Sequence, residues 1–257
     1  MLLALLAPLL LAPWSVAAID NAAVMIDMVQ NNPGDPVGWE QSKYFDPSVL
    51  KELGYTGQTT TGEMSGTQAV DFHSLGHDFF PAGSAPRMWL DAYARGVDRF
   101  VSRAKAAGVK AYFFVDLVVL PTPVLAAWPN TTSGGQVLWN DATRQLLTVL
   151  VEETFARFPG CDGWIVRTGE TYTYDTPYHV GNSPKDGTAE RWVDFISFLR
   201  QAVCVAHGKD LFFRGWDNWP SVRLSGLLPR SLMCRRPGLP GALMRAVGHR
   251  TQRTTRT

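Results

Sequence analysis

What most constrains this chain is an alternation. Short β-branched or aromatic runs recur along it, separated by segments whose apolar residues repeat every three or four positions. Residues 23–29 (AVMIDMV), 55–60 (YTGQTT), 109–119 (VKAYFFVDLVV), 161–167 (CDGWIVR) and 210–216 (DLFFRGW) read as strands. The run 109–119 is apolar almost throughout, as in a strand covered on both faces, until Asp116 interrupts it. Between the strands, Asp46-Pro47 opens a short helix over 48–53 that Gly54 closes. Residues 88–107 form a helix with Trp89, Ala92, Tyr93, Val97, Phe100, Val101 and Ala104 as its stripe. Asn140 caps another that runs to Phe158, and a last one spans 188–207 before Gly208.

Five such steps call for a parallel α/β fold with right-handed crossovers. The turn after the first strand, Gln30-Asn31-Asn32-Pro33-Gly34, does not fit the glycine-rich phosphate loop GxGxxG. That disfavours a nucleotide-binding sheet and favours a (β/α)8-type barrel. Eight units need about 250 residues, whereas here five strands already reach Trp216. The expectation is therefore a partial barrel of about five units over residues 19–222, followed by an irregular tail.

The two ends read differently from the body. Residues 1–18 are apolar and uncharged and finish in Val16-Ala17-Ala18, the pattern of a secretory signal cleaved after Ala18. A membrane anchor fits less well, because the stretch is short and carries Pro8 and Pro13. Past Asp217 there is no acidic residue, and eight of the 24 basic residues are arginines from Arg223 onward. The first 222 residues thus hold 16 basic against 23 acidic residues, a net of −7. Residues 223–257 read as a disordered or non-native end, with a tail for acidic partners as the alternative. Neither nucleic acid nor stable membrane insertion is expected. Cys161, Cys204 and Cys234 show no metal-ligand spacing; Cys161 and Cys204 either meet or stay free thiols.

Polar residues gather where the strands run out: Gln30, Asn31 and Asn32; Thr61 and Glu63; Asp116; Arg167, Thr168 and Glu170; Arg214, Asp217 and Asn218. Five such ends on one rim make a cleft the natural reading. The stretch 161–172 is its centre. Its apolar strand stops at Val166, Glu170 stands just beyond, and Tyr172, Tyr174, Asp175, Tyr178 and His179 follow. Nine Trp and seven Tyr in the chain favour stacking on sugar faces.

On the first-strand run 25–34, the segment Phe45-Asp46-Pro47 with 53–58, and Val166-Arg167-Thr168-Gly169-Glu170-Thr171-Tyr172, the chain resembles the β/α-barrel glycoside hydrolases, especially α-glucuronidase-like and related sugar hydrolases, over residues 22–219. The resemblance implies a carbohydrate substrate and Glu170, after the fourth strand, as general acid/base. The Asn that often precedes that Glu is Gly169 here. It also implies a partner carboxylate after a later strand, for which this chain offers Asp217 first, with Asp116 and Glu63 behind it. Glycoside hydrolysis needs two such groups flanking the bond.

The remaining candidates carry two readings each. Asp217 lies between Trp216 and Asn218, where a sugar has an indole to stack on, or it is an ordinary loop cap. Arg167 and Arg214 sit inside strands, where a charge needs a partner: ion pairs with Glu170, Asp116 or Asp217, or a clamp on a uronic-acid carboxylate. Asn31, Asn32, Glu63, Tyr172, His179 and Trp216 complete the expected substrate-binding set; His179 is either a base of the site or a solvated loop residue. His73, His77 and Asp78 have helical metal-ligand spacing, but Gly76 breaks the helix, so no metal or other cofactor is expected. Asn130-Thr131-Thr132 is a glycosylation sequon in a loop.

Overall fold

A computed structural model describes residues 45–60, 65–116, 118–133, 136–167, 176–181 and 189–214. In chain order these form α1 (Pro47–Glu52), β1 (Gly57–Thr59), α2 (Ala85–Ala106), β2 (Lys110–Asp116), β3 (Val119–Pro121), α3 (Thr122–Ala127), β4 (Thr132–Ser133), β5 (Gln136–Val137), α4 (Asp141–Arg157), β6 (Cys161–Arg167), β7 (His179–Gly181), α5 (Ala189–Leu199) and β8 (Asp210–Arg214). The signal-like residues 1–18, the first expected strand 23–29 and the tail 223–257 lie outside the described residues.

The main sheet is parallel and ordered β1-β2-β6-β8. Sheet neighbours follow one another along the chain apart from the short strands β3, β4, β5 and β7, and each step passes through one helix of eleven residues or more: α2, then α4, then α5. The order never reverses. Right-handed crossovers that keep advancing in one direction put every helix on the same face. A doubly wound sheet reverses its order and covers both faces instead. The packing agrees: Ala94, Val97 and Val101 of α2, Leu147 and Leu150 of α4, and Phe195 and Leu199 of α5 share one core with Phe113, Val115, Trp164, Val166 and Leu211. Strand alternation sends Tyr112, Phe114, Ile165 and Phe212 to the other face, where they form a separate cluster.

Local signals set the element ends. Ser84 caps α2 by accepting from Arg87 N, with Pro86 in the first turn. Asn140 caps α4 by accepting from Thr143 N at 3.0 Å. Gly163 lies between Tyr112 and Asp210 in the register, and a Cβ there would meet Asp210 O at 2.1 Å. With no side chain in the way, the Tyr112 phenol crosses β6 and donates to Asp210 Oδ2 at 3.0 Å. Lys110 reaches the same oxygen at 3.0 Å.

Three expectations are corrected in detail. The strand expected over 109–119 stops at Asp116, and Val119–Pro121 turns away to pair antiparallel with β7. That ribbon needs Gly181, whose Cβ would meet Val118 O at 1.9 Å. The buried face of α2 is Leu90, Ala94, Val97, Phe100, Val101 and Ala104; Ala92 is exposed, and Trp89 stacks on Tyr93, which packs against the core. The helix expected over 188–207 is α-helical to Leu199 and continues as a wider π turn over Arg200–Val205, where Ala206 N donates five residues back to Gln201 O. Of the two readings open for Cys161, the structure takes the buried free thiol, with no bridge to Cys204.

Candidate functional site

Parallel pairing brings the strand ends to one edge, and the last paired row there is Asp116, Arg167 and Arg214. Alternation puts Asp116 on the face of Tyr112 and Phe114, and Arg167 on the face of Ile165. This is the side of the sheet that the helices leave uncovered. Arg167 is 1% exposed and Asp116 4%. Arg167 Nε and Nη2 both lie 2.5 Å from Asp116 Oδ1, and the guanidinium sits over the Phe114 ring, 4.9 Å from its centroid. A charge so deeply buried needs such a partner. Thr60 continues β1 toward the same edge, its Oγ1 accepting from Phe114 N at 2.8 Å.

A polar chain runs beside this row. Tyr93 Oη donates to Gln68 Oε1 and accepts from Ser65 N at 2.7 Å, while Gln68 Nε2 donates to Thr176 Oγ1 at 2.8 Å. Burial pushes the Tyr93 phenol far above its usual range; the bond from Ser65 opposes this, and the charge of Asp116 adds to it. The turn that carries Ser65 and Gln68 lies flat on the Phe113 ring because Gly66 has no side chain; a Cβ there would fall 2.0 Å from that ring.

His179 is on β7, and it is buried, not a solvated loop residue. Its Nδ1 lies 2.9 Å from Pro177 O, a pure acceptor, so Nδ1 carries the proton and Nε2 presents a lone pair. No described group bonds that Nε2. Burial drives the ring's pKa down to about 4, against a smaller upward push from the Pro177 bond. Trp89 packs on the ring at 5.6 Å between centroids and stacks on Tyr93 at 4.8 Å. The preceding Tyr178 is left-handed, φ 65°, a conformation that side chains rarely adopt.

Asp71, His73 and Glu153 form a third group, their ligand-type atoms within 4.8 Å of one another. Glu153 of α4 accepts from Phe72 N and Ser74 N, both at 2.8 Å, and Asp71 accepts from His73 and Arg87. Every one of these carboxylates is spoken for by the loop it holds, so the geometry describes a latch. The His73, His77, Asp78 spacing is not helical: the turn at His73–Leu75 ends at Gly76 with φ 75°, and His77 packs against Phe79 and Trp128.

Of the expected site residues, the structure joins Asp116 to Arg167, aligns Arg214 with them along the backbone, and sets His179 on the β3–β7 ribbon. Asn130 is exposed on the turn Pro129–Thr131. Glu170, Asp217, Asn31, Asn32, Glu63, Tyr172 and Trp216 lie outside the described residues, as does the side chain of Arg214. Sequence reading missed Gln68 and Glu153, which have no motif. Trp89 and Tyr93 were placed in the helix's stripe, where Tyr93 does pack against the core, but their stacking and the Tyr93 hydrogen bonds have no sequence signal.

No family model and no curated protein matches the chain. Among solved structures it is similar to a GH138 enzyme targeting pectin rhamnogalacturonan II, at 12% identity and a TM-score of 0.48, over 74% of this chain and 20% of that one. It is similar to Dispersin B at 11% identity and a TM-score of 0.42, over 75% and 57%. It is also similar to the maltogenic alpha-amylase AmyB of Thermotoga neapolitana at 12% identity and a TM-score of 0.39, over 69% and 41%. The chain spans a fifth of the first of these and little more than half of the second. Overlaps this partial leave the architecture to be read from the strand order itself.

Proposed function

We propose that this chain is a secreted, glycoside-hydrolase-like protein built on part of a β/α barrel, with its sugar site at the C-terminal edge of the sheet and Glu170 as acid/base. The observation that carries the reading is the buried Asp116–Arg167 row at that edge. Strand ends on the helix-free side of a singly wound sheet are where barrel enzymes keep their reacting groups. Glu170 follows Arg167 by three residues, and the polar chain from Tyr93 through Gln68 to Thr176 borders the same row. Tyrosines and tryptophans in the adjoining sequence supply faces for sugar stacking.

A second reading, a sugar-binding protein without turnover, draws support from the same pair. Asp116 was one of three possible partner carboxylates, and it is committed to Arg167. The second carboxyl group of a hydrolase then falls to Asp217 or Glu63. Turnover of aryl glycosides by the full chain, measured beside equilibrium binding of the free sugars, separates the two. Binding with turnover supports the enzyme, binding alone supports the second reading, and neither one removes both.

A further inference from the structure

We propose that Asn130 carries an N-linked oligosaccharide that stands at the C-terminal edge of the sheet, the edge that carries the candidate site. Asn130-Thr131-Thr132 is the one Asn-X-Ser/Thr triplet in the chain with X other than proline. The segment lies in the connection from β2 to α4, which leaves the sheet at the C-terminal edge, where Asp116 ends β2. Its local build presents the amide outward. Pro129–Thr131 is a single 3-10 turn closed by Thr131 N donating to Trp128 O at 3.0 Å, and Thr131 is fully buried. The α4 cap, Asn140, donates from Nδ2 to Asn130 O at 2.8 Å and so fixes the turn through its main chain. The Asn130 side chain is exposed, and among the described residues none bonds its amide. A substituent on Nδ2 therefore displaces no packed group and breaks no hydrogen bond.

The donor is a polyprenol-diphosphate-linked oligosaccharide. A bond forms between Asn130 Nδ2 and the anomeric carbon of the first sugar, the anomeric carbon's bond to phosphate oxygen breaks, the polyprenol diphosphate leaves, and the amide gives up one proton. The inference rests on the secretory part of the proposed function, and its test keeps the two apart. The full chain is translated with endoplasmic-reticulum microsomes, once with its own N-terminus and once behind a heterologous cleavable leader, with protease protection marking translocated chains. Behind the heterologous leader, the protected chain should show one step of added mass, removed by an endoglycosidase and lost in Asn130→Gln and in Thr132→Ala, but kept in Thr132→Ser. Since transfer precedes folding, none of these variants has to fold. Protected chains without added mass, or with mass that survives Asn130→Gln, overturn the proposal. Glycosylation behind the heterologous leader without protection of the native form upholds Asn130 and removes the secretion reading.

Discussion

Arg167 and Asp116 are register partners across β6 and β2, and two nitrogens of the guanidinium close on one carboxylate oxygen at 2.5 Å. Both side chains are buried, so their mutual bonds stand in for much of the water each has lost. Removing one partner alone, by Arg167→Met or Asp116→Asn, should destabilise the protein by about 3–5 kcal/mol, because a lone charge stays buried. Replacing both should cost clearly less than the sum. Urea denaturation of the singles and the double checks this; additive losses would show that the residues act separately.

The two described histidines with displaced pKa values should pull stability in opposite directions with pH. His179 falls from 6.5 to about 4 on folding, mainly through burial. Its contribution is whole above pH 6.5 and is lost as pH drops toward 4, a range worth about 3 kcal/mol at about 1.4 kcal/mol per unit. His73 is raised instead, first by its hydrogen bond to Asp71 and then by Glu153, with desolvation and, less, Arg87 opposing. Its contribution is present below pH 6.5 and is lost as pH rises through its folded value. Being largely exposed, it should move stability little. Urea midpoints from pH 4 to 8 for wild type and His179→Gln test the larger effect: the variant should lose most of the acid-side slope, and an unchanged slope would refute the assignment.

Glu153 should hold the 65–84 segment to α4. Its two oxygens accept from Phe72 N and Ser74 N across the left-handed Phe72, whose ring is fully buried. Glu153→Ala leaves two backbone donors without that acceptor, at about 1.5–3 kcal/mol per charged hydrogen bond. Limited proteolysis should then cut within 65–84 well before the rest unfolds. Cleavage at the wild-type rate and position would mean that the Phe72 ring alone anchors the loop.

Much of the frame was legible because it rests on short-range signals. Gly108 ends the helix expected over 88–107, whose start at the Ser84 cap was placed a few residues late, and the run KAYFFVD has few options other than a buried strand. Parallel pairing was expected from the alternation, and a barrel-like arrangement from the missing glycine-rich phosphate loop. Asp116 and Arg167 were both identified, and the ion pair was one of the two readings weighed for Arg167. The break after Asp116 was not legible, because Leu117 to Val119 keep the same apolar character, and only the β7 partner 60 residues later turns the chain aside. The same holds for Gln68 and Glu153. Both act through backbone groups brought close by folding, and no spacing in the sequence records that.

Glu170→Gln in the full chain tests the central claim most directly, assayed on glycosides with good and with poor leaving groups. A general acid matters most where the leaving oxygen must be protonated. The account predicts a severe loss on poor leaving groups and a milder one on good ones, with sugar binding retained. Equal and small losses on both would make Glu170 a structural residue and take the site away from this edge of the sheet.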